Sequence, residues 1–167
     1  HTPRRRQRQM CIRDRFIRSK PMGTTFADYV ATQDARNTIQ LNVHKWTLML
    51  CDALKQNYID HCIKLHNRSI AIDGDPINHH QGRIDALKNG ECDYDFIIES
   101  GRKYHKIVMV NNQRSVHAFV DKKTGEVYKA ASWRGPAKDV RFDLRLIKDR
   151  EWLLEKADWA GGYLYKK

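Results

Sequence analysis

The chain has 167 residues, 31 of them Lys or Arg against 20 Asp or Glu, for a formal net charge of +11; that length suits a single domain with one core, and the charge points away from basic partners and toward polyanions. No run approaches the roughly 18 consecutive apolar residues of a membrane helix, so a soluble, intracellular chain without a membrane partner is expected. Cys51, Cys62 and Cys92, like Cys11, lack C-x-x-C spacing, which signals neither a disulfide framework nor a structural zinc site and leaves them as reduced core thiols.

The run RRQRQMCIRDR, Arg5 to Arg15, has the composition of a disordered basic arm attracted to phosphate. It also resembles the translation of a transposase-end adapter used in preparing DNA sequencing libraries. The adapter's CGT CGG CAG CGT CAG reads Arg5-Arg6-Gln7-Arg8-Gln9, and its ATG TGT ATA AGA GAC reads Met10-Cys11-Ile12-Arg13-Asp14. Residues 1–21 are therefore read as a non-native leader, with the natural start expected at Met22 and a single domain over 22–167. RFIRSKP brings no Ser-rich amphipathic helix, which disfavours a transit peptide. The leader holds eight of the Lys and Arg and one of the acids, so without it the net charge falls to +4 over 146 residues.

Phe26 to Thr32 is expected to form one or two helical turns, with Thr24 or Thr25 available as N-cap. Val43, Trp46, Leu50, Leu54, Tyr58, Cys62 and Leu65 recur every three or four residues, which predicts a long amphipathic helix from about Asp34 to His66 as the main cover of the core. The periodicity breaks at Asp73-Gly74-Asp75-Pro76 and resumes as a short helix near Ile77 to Lys88 that Asn89-Gly90 can end. Beyond Gly90 the period becomes two. YDFIIES, KYHKIVMV, SVHAFVD and EVYKAAS read as strands separated by short turn sequences, the last of them, Lys122 to Gly125, placing Gly where a bulged type I turn needs a positive φ. Such short connections require antiparallel neighbours, so a four-stranded meander is expected, with Ile107 to Val110 in a central strand covered at least partly on both faces. WRGPAKDVRFDL is an irregular segment with an edge strand at its end, and Asp149 is placed to cap a last helix carrying Trp152, Leu153 and Trp159. Helices, then strands, then a helix make the fold class α+β: one long amphipathic helix plus short helices packed on an antiparallel β-meander.

Charge is unevenly divided. Residues 22–100 carry a net −4 and residues 101–150 a net +8. Arg102, Lys103, Lys106, Arg114, Lys122, Lys123, Lys129, Arg134, Lys138 and Arg141 lie in or beside the sheet's turns, interleaved with Tyr104, Phe119, Tyr128, Trp133 and Phe142. Cations hold a phosphate backbone while aromatic faces stack on unpaired bases, so these residues on one face would bind single-stranded nucleic acid. The competing reading is that the cations solvate hairpin turns and the aromatics fill the core; no RNP-type string such as KGFGFV is present.

Asp73, Asp75, His79 and His80 offer oxygen and imidazole ligands for a divalent metal, against the plainer reading that Asp-x-Asp pairs bind turn backbone. His61 and His66 are five residues apart on the long helix, diverging by roughly 140°, and do not make a zinc pair. His105 and His117 fall on adjacent strands: a three-residue loop at Asn111 to Gln113 puts them on one face, a two-residue loop on opposite faces, and with Asp95 or Glu99 they would form an acid–base cluster. There is no P-loop and no G-x-G-x-x-G, and no cofactor is called for.

SVHAFVDKKTGEVYKAASWRGPAKDVRFDL, with the ending ADWAGGYLY, resembles a family of small, uncharacterised proteins of tailed bacteriophages that infect marine bacteria, from about Met22 to the C-terminus. The resemblance implies a host-cytoplasm setting and an accessory role in infection, and it carries over no catalytic residue. Three readings follow: a non-enzymatic phage factor that binds nucleic acid through the basic hairpins and Trp133-Arg134; a factor that binds a host protein through the sheet or the exposed side of the long helix; and a metal-dependent hydrolase centred on Asp73, Asp75, His79 and His80.

Overall fold

A computed structural model of the chain describes residues 25–165; the adapter-like leader, the expected start at Met22 and Thr24 lie outside the described residues. The chain divides into two compact units, residues 1–38 and Ile39–Lys167. The first unit's described part is helical from Phe26 onward. Thr25 is its cap: the Thr25 Oγ1 accepts the Asp28 N–H at 3.2 Å, and the Asp28 carboxylate accepts the Thr25 N–H at 3.1 Å. This is the reciprocal box that satisfies orphan donors at a helix start.

Helix α1, Phe26–Asp73, is longer than expected at both ends and absorbs the separate turn anticipated at Phe26 to Thr32. Within the second unit its buried residues are Val43, Thr47, Leu50, Cys51, Leu54 and Ile59. Thr47 is accommodated because its hydroxyl donates to the Val43 carbonyl at 2.7 Å. The expected stripe fails at its end, where Leu65 is exposed. Helix α2, His79–Lys88, buries Ile84 and Leu87. Its termination follows the sequence signal: Gly90, at φ +85, lets its own N–H reach the Leu87 carbonyl and the Glu91 N–H reach Ala86, the two bonds of a Schellman motif.

The strands are β1 (Asp95–Ser100), β2 (Tyr104–Val110), β3 (Arg114–Asp121), β4 (Glu126–Lys129) and β5 (Phe142–Asp143), forming one antiparallel sheet in chain order. To the four strands of the expected meander the edge strand anticipated at the end of WRGPAKDVRFDL adds a fifth, Phe142–Asp143, which pairs with Glu126 and Val127. Gly125 takes the left-handed turn position at φ +74, and the Asp121 carboxylate accepts the Lys123 and Thr124 N–H groups. Ile107, Ala118, Val120 and Val127 turn one face of the sheet to α1, where they join Val43, Leu50 and Leu54 in the core. Ile107 and Val108 are both fully buried, so β2 is covered at least partly on both faces as its composition suggests.

Helix α3 spans Ile147–Lys156 and brings Leu153 into the core. Asp149 does not cap it. The N-cap position is Leu146, without a side-chain bond, and the Asp149 carboxylate reaches back to accept the Asp143 N–H at 2.9 Å, tying helix to edge strand. Trp159 lies beyond the helix end, its N–H donating to the Asn57 side chain of α1 at 3.0 Å. A final turn, Gly162–Tyr165, buries Tyr163 and Leu164 against the core. Cys51 is buried, Cys62 and Cys92 are half-buried, and all three are free thiols; burial pushes the Cys51 thiol up to about 12, which makes it inert. Among the described residues no helix is long and apolar enough to cross a membrane.

Candidate nucleic-acid interface

Strand alternation sorts the basic and aromatic residues between the two faces of the sheet. Register aligns Glu99 with Lys106, Lys106 with Phe119 and Phe119 with Tyr128, and this cross-strand row points away from α1. Tyr104 lies on the same outer face, its ring edge-on to Phe119 at 5.8 Å and to Tyr128 at 6.0 Å. The loop after β4 folds across this surface, held by the Ala131 and Ser132 N–H groups donating to the Gly135 carbonyl. It brings the Trp133 ring over the Lys106 ammonium at 4.2 Å, with the Arg114 guanidinium at 5.9 Å. Such contacts use the negative ring face to hold the cation.

A cleft of about 330 Å³ opens beside this row. Arg102, Lys103, Tyr104, Lys106, Phe119 and Arg134 line it, so the turn between β1 and β2 supplies one wall and the loop after β4 the other. Lys122 belongs to the same end of the sheet, its N–H donating to the Lys103 carbonyl at 3.0 Å. Lys123 is exposed on the adjacent turn.

The acids of this face are largely paired. Glu99, which also lines the cleft, pairs with Arg114 and so neutralises one of the expected cations. Glu126 accepts the Tyr128 hydroxyl at 2.7 Å, which holds that phenol well above its ordinary value. Asp121 is buried and binds its own turn. Among the described residues, Arg102, Lys103, Lys106 and Arg134 form no ion pair with a carboxylate, which leaves a surplus of positive charge around half-buried tyrosines.

The aromatic residues divide by role. Phe119 is only 2% exposed and supports the surface rather than offering a ring face. Phe142 belongs to the core, stacked on Trp152 at 5.2 Å. Trp133, 41% exposed, is the ring most available for stacking, with Tyr104 and Tyr128 half-buried beside it.

Three expected contributors lie apart. Lys129 pairs across the ladder with the core residue Ala118 and so faces the α1 side, its ammonium 3.9 Å above the Tyr165 ring. Lys138 is exposed on the segment leading to β5, and Arg141 is half-buried beside β4, its N–H donating to the Val127 carbonyl.

The Asp73, Asp75, His79 and His80 group is not assembled as a metal centre: among the described residues no three His, Cys, Asp or Glu side chains gather in a metal-binding arrangement. The Asp75 carboxylate instead accepts the His80 and Gln81 N–H groups and caps α2. Those bonds favour its charged form and hold the carboxyl below its usual range, although burial opposes them. Sequence reading missed His66 as the partner of His80. Their Nδ1 atoms lie 3.0 Å apart, and burial together with the neighbouring His80 lowers the His66 value. Residues on different helices leave no spacing signal for such a contact.

His105 and His117 do not form an acid–base cluster with Asp95 or Glu99. The three-residue loop is present, but the register shifts between Ile107 and Val108, leaving His117 as an extra residue in β3. Both rings are on the α1 side, each with its own partner. His105 Nδ1 lies 2.7 Å from the Ser100 hydroxyl, and His117 Nε2 lies 2.8 Å from the Tyr163 hydroxyl. Burial lowers both histidines to about 4, so both rings are neutral at physiological pH. Asp95 pairs with Lys55 at 3.6 Å.

A family model, described as a family of unknown function (DUF7717), matches residues 26–166. The chain belongs to this family. No curated protein and no solved structure matches it. The DUF7717 match spans every strand of the sheet and all the residues of the cleft, and it begins after the adapter-like leader.

Proposed function

We propose that this chain is a non-enzymatic accessory factor of a tailed bacteriophage, acting in the host cytoplasm by binding single-stranded nucleic acid across the outer face of its sheet. The observation that carries this reading is the cation group Arg102, Lys103, Lys106 and Arg134, which forms no ion pair among the described residues and is arranged around Tyr104 with Trp133 exposed beside it. Cations without carboxylate partners are free to replace the counterions of a phosphate backbone, and exposed rings stack on bases that are not already paired. Sequence resemblance from Met22 onward supports the phage setting.

The test is fluorescence polarisation with a labelled oligothymidylate and a duplex, using both the full chain and a chain beginning at Met22, so that the leader's arginines cannot account for the signal. Binding that favours the single strand, weakens steeply with salt and is lost in Lys103→Glu/Arg134→Glu is expected. Failure of the Met22 chain to bind at low ionic strength, or indifference to the charge reversals, would refute the reading.

A second reading, docking of a host polypeptide, rests on the exposed apolar residues Leu41, Leu48 and Met49 of α1. It predicts a complex that survives high salt and is disrupted by Leu41→Asp/Leu48→Asp with the sheet untouched.

A further inference from the structure

The α1-facing side of the sheet carries a second cleft, of about 320 Å³, between the ends of β2, β3 and β4 and the C-terminal turn. Met109 and Leu164 give it apolar walls, Trp159 contributes an indole, and Lys129 and His117 supply the polar groups. Its volume admits one small molecule and no polymer.

His117 reaches this cleft because of the irregularity in β3. The register shift makes it the unpaired extra residue, and such a bulge re-aims a side chain that regular pairing would fix elsewhere. Its ring packs edge-on to Phe96 at 5.5 Å and tilted against Tyr163 at 5.6 Å. Tyr163 holds Nε2 at 2.8 Å. Nδ1 has no hydrogen-bond partner among the described residues, and Gly161, at φ +84, lies beside the ring, where a Cβ would stand 3.6 Å from Cε1 and 3.9 Å from Nδ1. Fixed through its other nitrogen, the ring leaves Nδ1 as a directional polar group at the cleft. Lys129 is similarly placed: its ammonium rests on the Tyr165 ring at 3.9 Å and forms no ion pair among the described residues.

We infer that this cleft is a binding site for a small aromatic anion, with the ring against Trp159, Met109 and Leu164, the negative group on Lys129 and a polar edge on His117 Nδ1. The ligand class follows from the lining. One cation selects one anionic group, a single indole favours a planar partner, and a neutral imidazole fixed on one side gives a directional hydrogen bond. The site is separate from the outer-face interface, because Lys129 and Lys106 point to opposite faces of the sheet.

The test uses the full chain with indole-3-acetate, salicylate and adenosine monophosphate as probes, read by calorimetry and by the His117 ring resonances in a proton–carbon spectrum. At least one probe should bind at micromolar to millimolar concentration and shift the His117 signal. Lys129→Met should weaken that probe at least tenfold, and Ala160→Phe, which fills the cleft without touching charge or the histidine, should abolish binding while oligonucleotide affinity is retained. If no probe moves the His117 resonance, or if the bound probe is indifferent to both substitutions, the inference is overturned. Loss of oligonucleotide binding in Lys103→Glu/Arg134→Glu with probe binding intact separates this site's fate from that of the outer face.

Discussion

On the α1 side of the sheet, Ile107, Ala118, Val120 and Val127 are closed to solvent, and the polar rings of His105 and His117 are each held by one hydroxyl. On the outer side, Lys106, Tyr104 and Tyr128 remain half-open, and cations outnumber the acids free to pair with them. The same strands supply both faces, residue by residue in alternation. The contrast teaches that the first face, outside the cleft beside Lys129, is organised to exclude water and the second to keep charge hydrated until a partner replaces that water. Removing a side chain should therefore register as lost stability on one face and as lost binding on the other.

The largest effect is expected from the dry face. Ile107→Ala, which empties a fully buried position of that face, should lower unfolding free energy by about 2 to 5 kcal/mol, whereas Lys106→Ala should stay within about 0.5 kcal/mol; urea denaturation measures both. Comparable losses would erase the distinction between the faces.

Acid should act on the same dry face. Burial lowers His117 from an ordinary 6.5 to about 4, so the unfolded chain binds its proton first as pH falls. The stability contributed by the neutral ring is complete above pH 6.5 and is lost progressively down to about 4, a change on the order of 3 kcal/mol. His105 shifts in the same direction. His117→Phe should flatten the stability profile across that window, and a profile with unchanged slope would contradict the assignment.

On the open face, Trp133→Ala is expected to weaken oligonucleotide binding by about 1 to 3 kcal/mol, the range of one base stacked on one ring, with the melting temperature nearly unchanged because the indole is 41% exposed. The smallest effect sharpens the comparison most. Lys129→Ala removes a cation of the same chain segment but the opposite face, so oligonucleotide affinity should remain unchanged in polarisation titrations.

Local chemistry made much of this architecture readable in the sequence. The three-and-four spacing from Val43 to Tyr58 finds the helix, Asn89-Gly90 finds its partner's end, and Gly125 finds the hairpin, because each signal acts within a few residues. Long-range settlement is less legible. Nothing near Asp149 indicates that its carboxylate is needed by the Asp143 N–H, and nothing near His117 announces a register shift. The interface shows both cases. Its cations cluster visibly in residues 101–150, yet only pairing register separates Lys106 from Lys129, and only burial tells Phe119 from Trp133.

The strict chain order of the five strands has a kinetic consequence. β2, β3 and β4 each close onto the strand made just before, across loops of three or four residues that cost little entropy to close, while β5 joins across the longer segment 130–141. Local pairing of this kind lets the first hairpins zip as they emerge from the ribosome, which limits the time that their edges spend exposed to neighbouring chains.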